Sequence, residues 1–275
     1  MILIADSGST KTDWRLIHAS GQIEQFTSIG LNPFHLADEM ILATVRAIAV
    51  DKQLDVQELF FYGAGVGSKI QHARLSHILQ NVFSKADINV EHDLLGAARA
   101  ACGKRSGLAV ILGTGTNSCL YNGTEITEHI PSVGYILGDF GSGADLGKRW
   151  ANACLTSTAD AALIQSFYSD FNLDADKILQ GVYADKRAQA FLASFAPFLA
   201  QNRHHPFVAN LVAEAFNELF EQTLTKYSWH KQIDVCGSIG HIFRNELARA
   251  AESHGCVLGN VIQSPIAALT LYHSE

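Results

Sequence analysis

The sequence predicts an α/β protein built from two similar domains that arose by internal duplication. The main observation is that the order of strands and helices in the first third of the chain restarts after residue 105. In both copies a buried strand runs directly into a turn rich in glycine and hydroxyl residues. An internal repeat constrains the fold more strongly than a local signal does. The 275 residues, 48% of them hydrophobic, suffice for two domains with substantial cores.

The first copy is predicted to run through three strands, a helix, a strand, a helix and a final strand. Short apolar runs indicate the strands, and apolar residues spaced three or four apart indicate the helices. The predicted strands cover residues 2–5, 14–17, 22–29, 59–62 and 88–90, and the predicted helices cover residues 33–50 and 71–84. For the first helix we expect Asn32 as the N-cap, with Pro33 at the first helical position.

The second copy repeats the opening of the first. Strands are predicted at residues 108–112, 118–121 and 125–130, with Asn122-Gly123 as a hairpin turn. The stretch Gly8-Ser9-Thr10 matches Gly113-Thr114-Gly115, and Gly30 matches Gly134. Helices at residues 156–168, 175–183 and 207–227 and a strand at 233–236 complete this copy.

The repeat divides the chain into two expected domains. The first covers residues 1–105 and is rejoined by a C-terminal helix at 264–275. The second covers residues 106–263 and carries the additional helices. A cleft between the two domains is the expected place for a ligand, because small-molecule sites often lie at domain interfaces.

Composition narrows the classes of partner. The formal net charge of −7 gives no reason to expect binding to nucleic acid or to a membrane surface. No basic segment precedes the first apolar run, and no apolar stretch approaches the roughly 18 residues that span a bilayer. The five cysteines are scattered without a C-x-x-C pair, so neither a zinc site nor a redox dithiol is indicated. We expect a cytoplasmic protein with reduced thiols.

The two matched turns predict phosphate binding. Backbone N–H groups of a glycine-rich turn can point at one anion, and Ser or Thr hydroxyls add donors. One such turn could be a plain hairpin, but two could grip the β- and γ-phosphates of a nucleotide from two sides. Neither the P-loop nor the G-x-G-x-x-G pattern follows these strands. The candidate residues are Ser7, Gly8, Ser9, Thr10, Lys11 and Thr12 in the first turn and Gly113, Thr114 and Gly115 in the second.

Asp6 ends the first buried strand, next to the first turn. A carboxylate in this place could hold Mg²⁺, mostly through water, because magnesium gives up its waters reluctantly. The alternative is that Asp6 caps N–H groups of its own turn. We expect the metal role.

Taken together, these motifs resemble the BadF-like branch of the actin/hexokinase/Hsp70 ATPase superfamily, and within it the N-acetylglucosamine kinases. The resemblance covers nearly the whole chain. Its most specific stretch is residues 112–117, similar to the family's second phosphate motif; residues 6–12, 138–143 and 235–239 resemble its first phosphate motif, its G-D-E-G-S segment and its adenosine motif. The resemblance implies two ribonuclease-H-like domains, ATP and Mg²⁺ as cofactors, adenosine near Gly237 and Ser238, and a homodimer.

The resemblance also implies which residues carry the reaction. The family's catalytic aspartate opens a helix of small residues just before the second repeat, which nominates Asp93. A sugar hydroxyl that attacks phosphate needs such a carboxylate to take its proton. The alternative is that Asp93 is only the N-cap of a helix at 94–102. Glu91 and His92 are weaker candidates, which we expect to flank the strand. The substrate contacts carried over from the family are Asn32, Thr116, Asn117, Gly134 and Asp139.

Two departures from the family pattern leave the sugar open. Phe140 stands where the family has Glu, and Val133 stands where an aromatic residue precedes the matched glycine. We expect transfer of the γ-phosphate of ATP to the primary hydroxyl of an N-acetylated amino sugar, with N-acetylglucosamine first. N-acetylmuramic acid, glucosamine and an anhydro-sugar are alternatives.

Three other activities are alternatives to this kinase. A dehydratase-activating ATPase would need cysteines that bridge an iron–sulfur cluster. A sugar kinase of the ROK type would carry a C-x-C-G-x-x-G-C zinc motif, which the sequence lacks. A nucleotide-switched assembly protein like actin would polymerise without phosphorylating an acceptor.

Overall fold

The computed structural model, which describes residues 1–8, 10–228 and 231–274, contains two five-stranded sheets. Each sheet belongs to one of two compact units. The first unit is Met1–Gly103 together with a segment that begins at Pro265, and the second is Lys104–Ser264. Both sheets are mixed and carry helices, so the predicted α/β class is confirmed. In the described ranges, no helix combines the length and apolar character needed to cross a membrane.

The first unit begins with a three-stranded meander and continues with two parallel strands. In chain order its elements are β1 (Ile2–Ser7), β2 (Lys11–Ile17), β3 (Ile23–Ile29), α1 (Asp38–Asp51), β4 (Glu58–Gly63), α2 (Lys69–Gln80), β5 (Asp87–His92) and α3 (Asp93–Cys102). The sheet order is β3-β2-β1-β4-β5. The β1–β2 and β2–β3 pairs are antiparallel, whereas the β1–β4 and β4–β5 pairs are parallel. The parallel pairs need long crossovers, which α1 and α2 supply.

The second unit repeats this sheet and adds helices. Its elements are β6 (Gly107–Leu112), β7 (Thr116–Tyr121), β8 (Ile126–His129), α4 (Gly134–Leu137), α5 (Gly143–Leu155), α6 (Ala161–Phe171), α7 (Ala175–Tyr183), α8 (Ala188–Ala193), α9 (Ala196–Gln201), α10 (Pro206–Gln222), β9 (Gln232–Cys236), α11 (Ser238–Ile242), α12 (Arg244–Ser253) and β10 (Val257–Ile262). The sheet order is β8-β7-β6-β9-β10, with the same pattern of antiparallel and parallel pairs. The predicted duplication is therefore present in the topology.

The last helix, α13 (Ile266–Tyr272), belongs to the first unit. Its Ile266 and Leu269 form a buried cluster with Ile4 and Tyr62. Each unit also has its own aromatic core. In the second unit the Trp150 ring is fully buried against Phe167 and Phe198.

Several predicted helix boundaries are wrong. The first helix begins at Asp38, not at residue 33, because the carbonyl of Asn32 accepts the N–H groups of His35 and Leu36 in a tight turn. The side chain of Asn32 accepts the N–H of Phe34 at 2.9 Å. Asn32 is therefore a turn residue and not the N-cap.

The helix predicted at residues 156–168 is also misplaced. Residues 156–160 separate α5 from α6, and Ser157 in this gap has a left-handed φ of 55°. The helix α5 itself was not predicted, nor were α12 and β10. The helix predicted at 207–227 ends at Gln222 and is followed by a short 3-10 turn, Leu224–Lys226.

Candidate functional site

The carboxyl ends of β1, β4 and β5 lie side by side at one edge of the first sheet. Ser7 is in register with Gly63, and Gly63 with His92. Asp6 precedes Ser7, and Asp93 follows His92. Ligands of open α/β sheets bind at the carboxyl ends of the strands. The fold thus brings the predicted metal ligand and the predicted base to the same sheet edge.

Two buried hydroxyls, those of Ser7 and Thr12, hold the first turn in place through hydrogen bonds. The N–H of Leu31 donates to Ser7 Oγ at 2.9 Å, the hydroxyls of Ser7 and Thr12 are 2.8 Å apart, and Thr12 Oγ1 donates to the carbonyl of Ile29 at 2.9 Å. These contacts form one chain in which both hydroxyl protons are used. Ser7 and Thr12 therefore anchor the turn, and direct phosphate contact by their side chains stays a prediction.

The described residues at the tip of the first turn are exposed to solvent. The N–H of Gly8 donates to the carbonyl of Lys11 at 3.0 Å, and Gly8 and Thr10 are open to solvent. Lys11 is 59% exposed, and its Nζ lies 2.9 Å from Asp13. Ser9 lies outside the described residues. An anion could reach the described part of this turn through Gly8, Thr10 and Lys11.

Asp6 lies in an environment that disfavours its charged form. Burial raises the pKa of its carboxyl to about 7, and the negative charges of Asp93 and Asp13 act in the same direction, whereas Lys11 opposes them. A divalent cation would relieve this excess of negative charge, so the donor set fits Mg²⁺. Within residues 1–8, 10–228 and 231–274, no group of three or more His, Cys, Asp or Glu side chains could hold a metal ion. Water and phosphate oxygens would have to complete the coordination.

His92, and not Asp93, is the N-cap of α3. The N–H of Leu94 lies 3.1 Å from Nδ1 of His92, and Asp93 is the first helical residue. The alternative that Asp93 is only an N-cap is therefore wrong, and His92 both ends the strand and caps the helix. The same Nδ1 atom lies 2.8 Å from Oδ1 of Asp93.

The second turn rests on the N-terminus of α5. The N–H of Gly113 donates to the carbonyl of Gly115 at 3.0 Å, which closes the hairpin between β6 and β7. The N–H of Gly143 donates to the carbonyl of Gly113 at 2.8 Å, and the N–H of Ala144 to that of Thr114 at 3.1 Å. The first turn of α5 thus fixes the shape of the hairpin that is predicted to bind phosphate.

The start of α11 lies against the same hairpin. Gly237 has a φ of 137°, and a side chain here would overlap the carbonyl oxygen of Leu112. Its N–H donates to the carbonyl of Ile262 at 2.8 Å, and Ser238 is exposed beside it. The predicted adenosine and phosphate residues of the second unit are therefore neighbours.

We predict that Gly237→Ala destabilises the protein by roughly 2 to 5 kcal/mol, because it adds backbone strain to a steric overlap. Gly113→Ala is the control, since a Cβ on Gly113 meets no atom within 4 Å and its φ is not left-handed. Urea unfolding of both variants tests this. Equal stability of the two variants would contradict the packing of α11 against the hairpin.

The buried carboxylate of Asp139 accepts hydrogen bonds from three groups of the second unit. Its Oδ1 accepts from the N–H of Thr116 at 3.2 Å and from Ser132 Oγ at 3.1 Å, and its Oδ2 accepts from Gln189 Nε2 at 2.9 Å. Burial raises the pKa of Asp139, although the hydrogen bonds from Thr116 and Ser132 oppose this. A Cβ on Gly115 would lie 2.8 Å from Oδ2, so the turn needs glycine there. Asp139 therefore fixes the hairpin from one side.

Three predicted substrate residues line one cavity of about 330 Å³ in the second unit. They are Thr116, Asn117 and Asp139. Thr116 Oγ1 donates to the carbonyl of Phe140 at 3.0 Å, and Asn117 Oδ1 lies 3.0 Å from His129 Nε2. The cavity therefore has a polar wall whose side chains are held in place.

Exposed apolar side chains also line this cavity. Val133 and Leu137 line it and are 57% and 75% exposed. Gly134, which has a φ of 76°, opens α4 between them. A ligand with one polar and one apolar face would match such a cavity.

Asn32 lies in the first unit and is buried against the loop after β4. A side chain on Gly65, whose φ is 83°, would overlap Oδ1 of Asn32. The structure thus places Asn32 in a tightly packed turn, and its contact with a sugar stays a prediction.

Sequence reasoning gave no role to three residues that shape these clusters: Ser132, Gln189 and Ser142. Ser142 caps α5 by accepting the N–H of Asp145 at 3.2 Å. A Ser three residues before Asp is a helix-start signal that could have identified it. Gln189 lies fifty residues from Asp139 in the chain, and no sequence pattern connects the two.

All five cysteines are buried. Burial raises the pKa of Cys119 and of Cys154 to about 12. Buried thiols of this kind are poor candidates for a cluster that two subunits share. The cysteines thus give no support to a dehydratase-activating ATPase.

Comparisons with solved structures agree with this architecture. A Porphyromonas gingivalis protein proposed to be an N-acetylglucosamine kinase is 36% identical, with a TM-score of 0.92 over 99% of this chain and 98% of that chain. A Chromobacterium violaceum protein with the same proposed activity is 19% identical, with a TM-score of 0.64 over 98% of both chains. A ROK family glucokinase from Streptomyces griseus, in complex with glucose and AMPPNP, is 13% identical, with a TM-score of 0.58 over 100% of this chain and 99% of that chain.

The last two similarities show the fold alone, which is of the actin/hexokinase type. No protein-family model matches the chain, and no curated protein matches it. The predicted similarity to N-acetylglucosamine kinases is supported by the Porphyromonas protein. Membership of the BadF-like branch stays a prediction.

Proposed function

This chain belongs to the N-acetylglucosamine kinase-like family, and from that membership we propose that it is an ATP-dependent sugar kinase of the actin/hexokinase superfamily. The observation that carries the proposal is the 36% identity to the Porphyromonas protein over 99% of the chain. The acceptor we propose is an N-acetylated amino sugar, with N-acetylglucosamine ahead of N-acetylmuramic acid and glucosamine.

In the proposed reaction the primary hydroxyl of the sugar attacks the γ-phosphorus of ATP. A new O–P bond forms, the bond from the γ-phosphorus to its bridging oxygen breaks, and ADP leaves. Asp93 takes the hydroxyl proton. Mg²⁺, held by Asp6 mainly through water, would neutralise charge on the phosphates. The location of Asp6 and Asp93 at one sheet edge supports this pair of roles.

Phosphate and nucleoside binding is proposed for the exposed turns. Gly8, Thr10 and Lys11 of the first unit present backbone and side-chain donors to solvent. In the second unit, residues 113–115 and the Gly237-Ser238 pair would bind phosphate and adenosine. The direct packing of Gly237 on the hairpin supports a shared nucleotide site in that unit.

The cavity beside Asn117 is the proposed sugar subsite. An N-acetyl group presents an amide that needs hydrogen bonds and a methyl that needs an apolar contact. Asn117 can supply the first, and Val133 can supply the second. Asp139 already accepts three hydrogen bonds, so its proposed role combines holding Thr116 with accepting a further one from the sugar through a remaining lone pair.

A transfer screen with [γ-³²P]ATP and a panel of amino sugars tests the activity. We expect kcat/KM for N-acetylglucosamine to exceed that for glucose by roughly 100-fold or more, because a site built to hydrogen-bond a group rejects analogues that lack it. Asn117→Ala should reduce this preference and leave ATP affinity unchanged. Equal kcat/KM for glucose and the N-acetylated sugars would refute the proposed acceptor, and labelled phosphate without any acceptor product would refute the kinase.

A further inference from the structure

The imidazole of His92 is held on two sides. Its Nδ1 lies 2.8 Å from Oδ1 of Asp93. On the other side, a Cβ on Gly67 would come within 2.9 Å of Cδ2 and 3.2 Å of Nε2, so the ring lies directly on the Gly67 backbone. Only glycine leaves room for the ring at this distance. The ring therefore has little freedom to turn away from Asp93.

The two carboxylate oxygens of Asp93 differ in their surroundings. Oδ1 is buried, and no hydrogen bond to it is formed in the described part of the chain. A buried carboxylate oxygen without a donor is costly. His92 Nδ1 is close enough to be that donor if it carries the proton. The side chain as a whole is 31% exposed, which leaves Oδ2 as the oxygen that a ligand can reach.

One nitrogen cannot serve both of its neighbours. To accept the N–H of Leu94 at 3.1 Å, Nδ1 must present a lone pair; to donate to Asp93 at 2.8 Å, it must carry a proton. A lone pair on Nδ1 would face a lone pair on a buried carboxylate oxygen. The hydrogen bond to a charged acceptor is the stronger of the two.

We propose that His92 is a positioning residue for Asp93: its Nδ1–H donates to the buried Oδ1 and turns Oδ2 towards the hydroxyl whose proton Asp93 takes. This inference rests on the proposed kinase function and names the group that orients its base. Burial alone would lower the pKa of His92, but the proposed hydrogen bond to Asp93 and the negative charge of that carboxylate outweigh burial, and the pKa is raised. The raised pKa agrees with a proton on Nδ1.

Other titratable groups near His92 lie on each element of this sheet edge. Glu91 precedes it on β5, where successive side chains point to opposite faces. His72 of α2 hydrogen-bonds the carbonyl of Val90 through Nε2 at 2.9 Å. Asp6 of β1 is close enough to feel the charge of Asp93. Of these groups, only Asp93 lies within ion-pair distance of the His92 ring in the described ranges.

The test separates capping from positioning with His92→Ser. Serine keeps a good N-cap acceptor for α3 but lacks the ring nitrogen that reaches Oδ1. We expect thermal stability close to that of the wild type, unchanged KM for sugar and ATP, and kcat lower by roughly 10- to 100-fold, the effect that supporting hydrogen bonds have at metal sites. Glu91→Gln is the matched control on the same strand and should keep the wild-type kcat. A wild-type kcat for His92→Ser would overturn the inference.

An NMR titration of the His92 ring decides the contact without relying on activity. In Asp93→Asn the pKa of His92 should fall relative to the wild type, because the charge that raises it is removed. An unchanged pKa would overturn the inference even if His92→Ser fails to fold. A wild type that phosphorylates no sugar would refute the proposed function alone. An active wild type with an inactive Asp93→Asn and a fully active His92→Ser would refute the positioning role alone.

Discussion

Asp93→Asn is expected to lose nearly all phosphoryl transfer while it folds and binds ATP normally. The substitution keeps the size and shape of the side chain at the first position of α3, but an amide cannot take a proton from the attacking hydroxyl. Loss of a general base lowers turnover by a factor on the order of 10² to 10⁴. Because the change lies on the acceptor side of the reaction, the affinity for ATP should stay within about twofold.

Steady-state kinetics with N-acetylglucosamine, together with calorimetric titration of ATP, measure both quantities. Asp87→Asn is the matched control, since Asp87 is an exposed carboxylate at the opposite end of β5. It should retain the wild-type kcat. A folded Asp93→Asn protein with near-normal turnover would show that another group takes the proton.

The duplication could be predicted because the same pattern of strands and turns occurs twice in the sequence. Each copy places an apolar strand before a glycine and hydroxyl turn, and both turns join the first two strands of a meander. Agreement between two copies outweighs the ambiguity of each short strand. The register that brings Ser7, Gly63 and His92 to one edge then follows from the parallel pairing of β1, β4 and β5.

The helix starts could not be predicted as well, because local signals compete. Asn32-Pro33 satisfies the rule for a helix start, yet the Asn32 carbonyl and side chain close a turn of their own. In α5, the glycines at 143 and 147 are typical of a loop. The backbone of Leu192 packs so closely on Gly147 that only glycine fits there. Where α1 and α5 begin therefore depends on contacts in the folded chain, which a local sequence pattern does not show.

The candidate site was predicted by residue type better than by role. Ser7 and Thr12 are predicted to contact phosphate, and the structure uses their hydroxyl protons in hydrogen bonds around the turn. Direct contact of their side chains with phosphate stays a prediction. His92 is only a weaker candidate from the sequence, expected to flank the strand, although it lies 2.8 Å from Asp93. A sequence indicates which side chains can donate or accept, whereas their partners depend on contacts between distant segments.

The second large effect is expected for Asp6→Asn. An amide cannot replace a carboxylate beside Mg²⁺, and the metal supplies several kcal/mol of charge stabilisation in phosphoryl transfer. We expect turnover to fall by a factor on the order of 10² or more and its dependence on Mg²⁺ concentration to weaken. Sugar affinity measured without ATP should be unchanged. Loss of sugar binding with a normal response to Mg²⁺ would assign Asp6 to the acceptor instead.

The same substitution should stabilise the ligand-free protein at high pH. Because the pKa of Asp6 is about 7 in the folded chain and its ordinary value is 3.8, the folded state binds the proton more tightly than the unfolded state. The resulting stability is fully present below pH 4 and is lost as the pH rises through 7. The amide introduced by Asp6→Asn has no proton to lose, so relative to the wild type the variant should gain stability between pH 4 and pH 8.

The expected gain is on the order of 2 kcal/mol, since each pKa unit corresponds to about 1.4 kcal/mol and solvent screening reduces the full effect. Urea unfolding in EDTA at pH 4 and pH 8 measures it, and equal pH dependence of the two proteins would show that Asp6 is already ionised without metal.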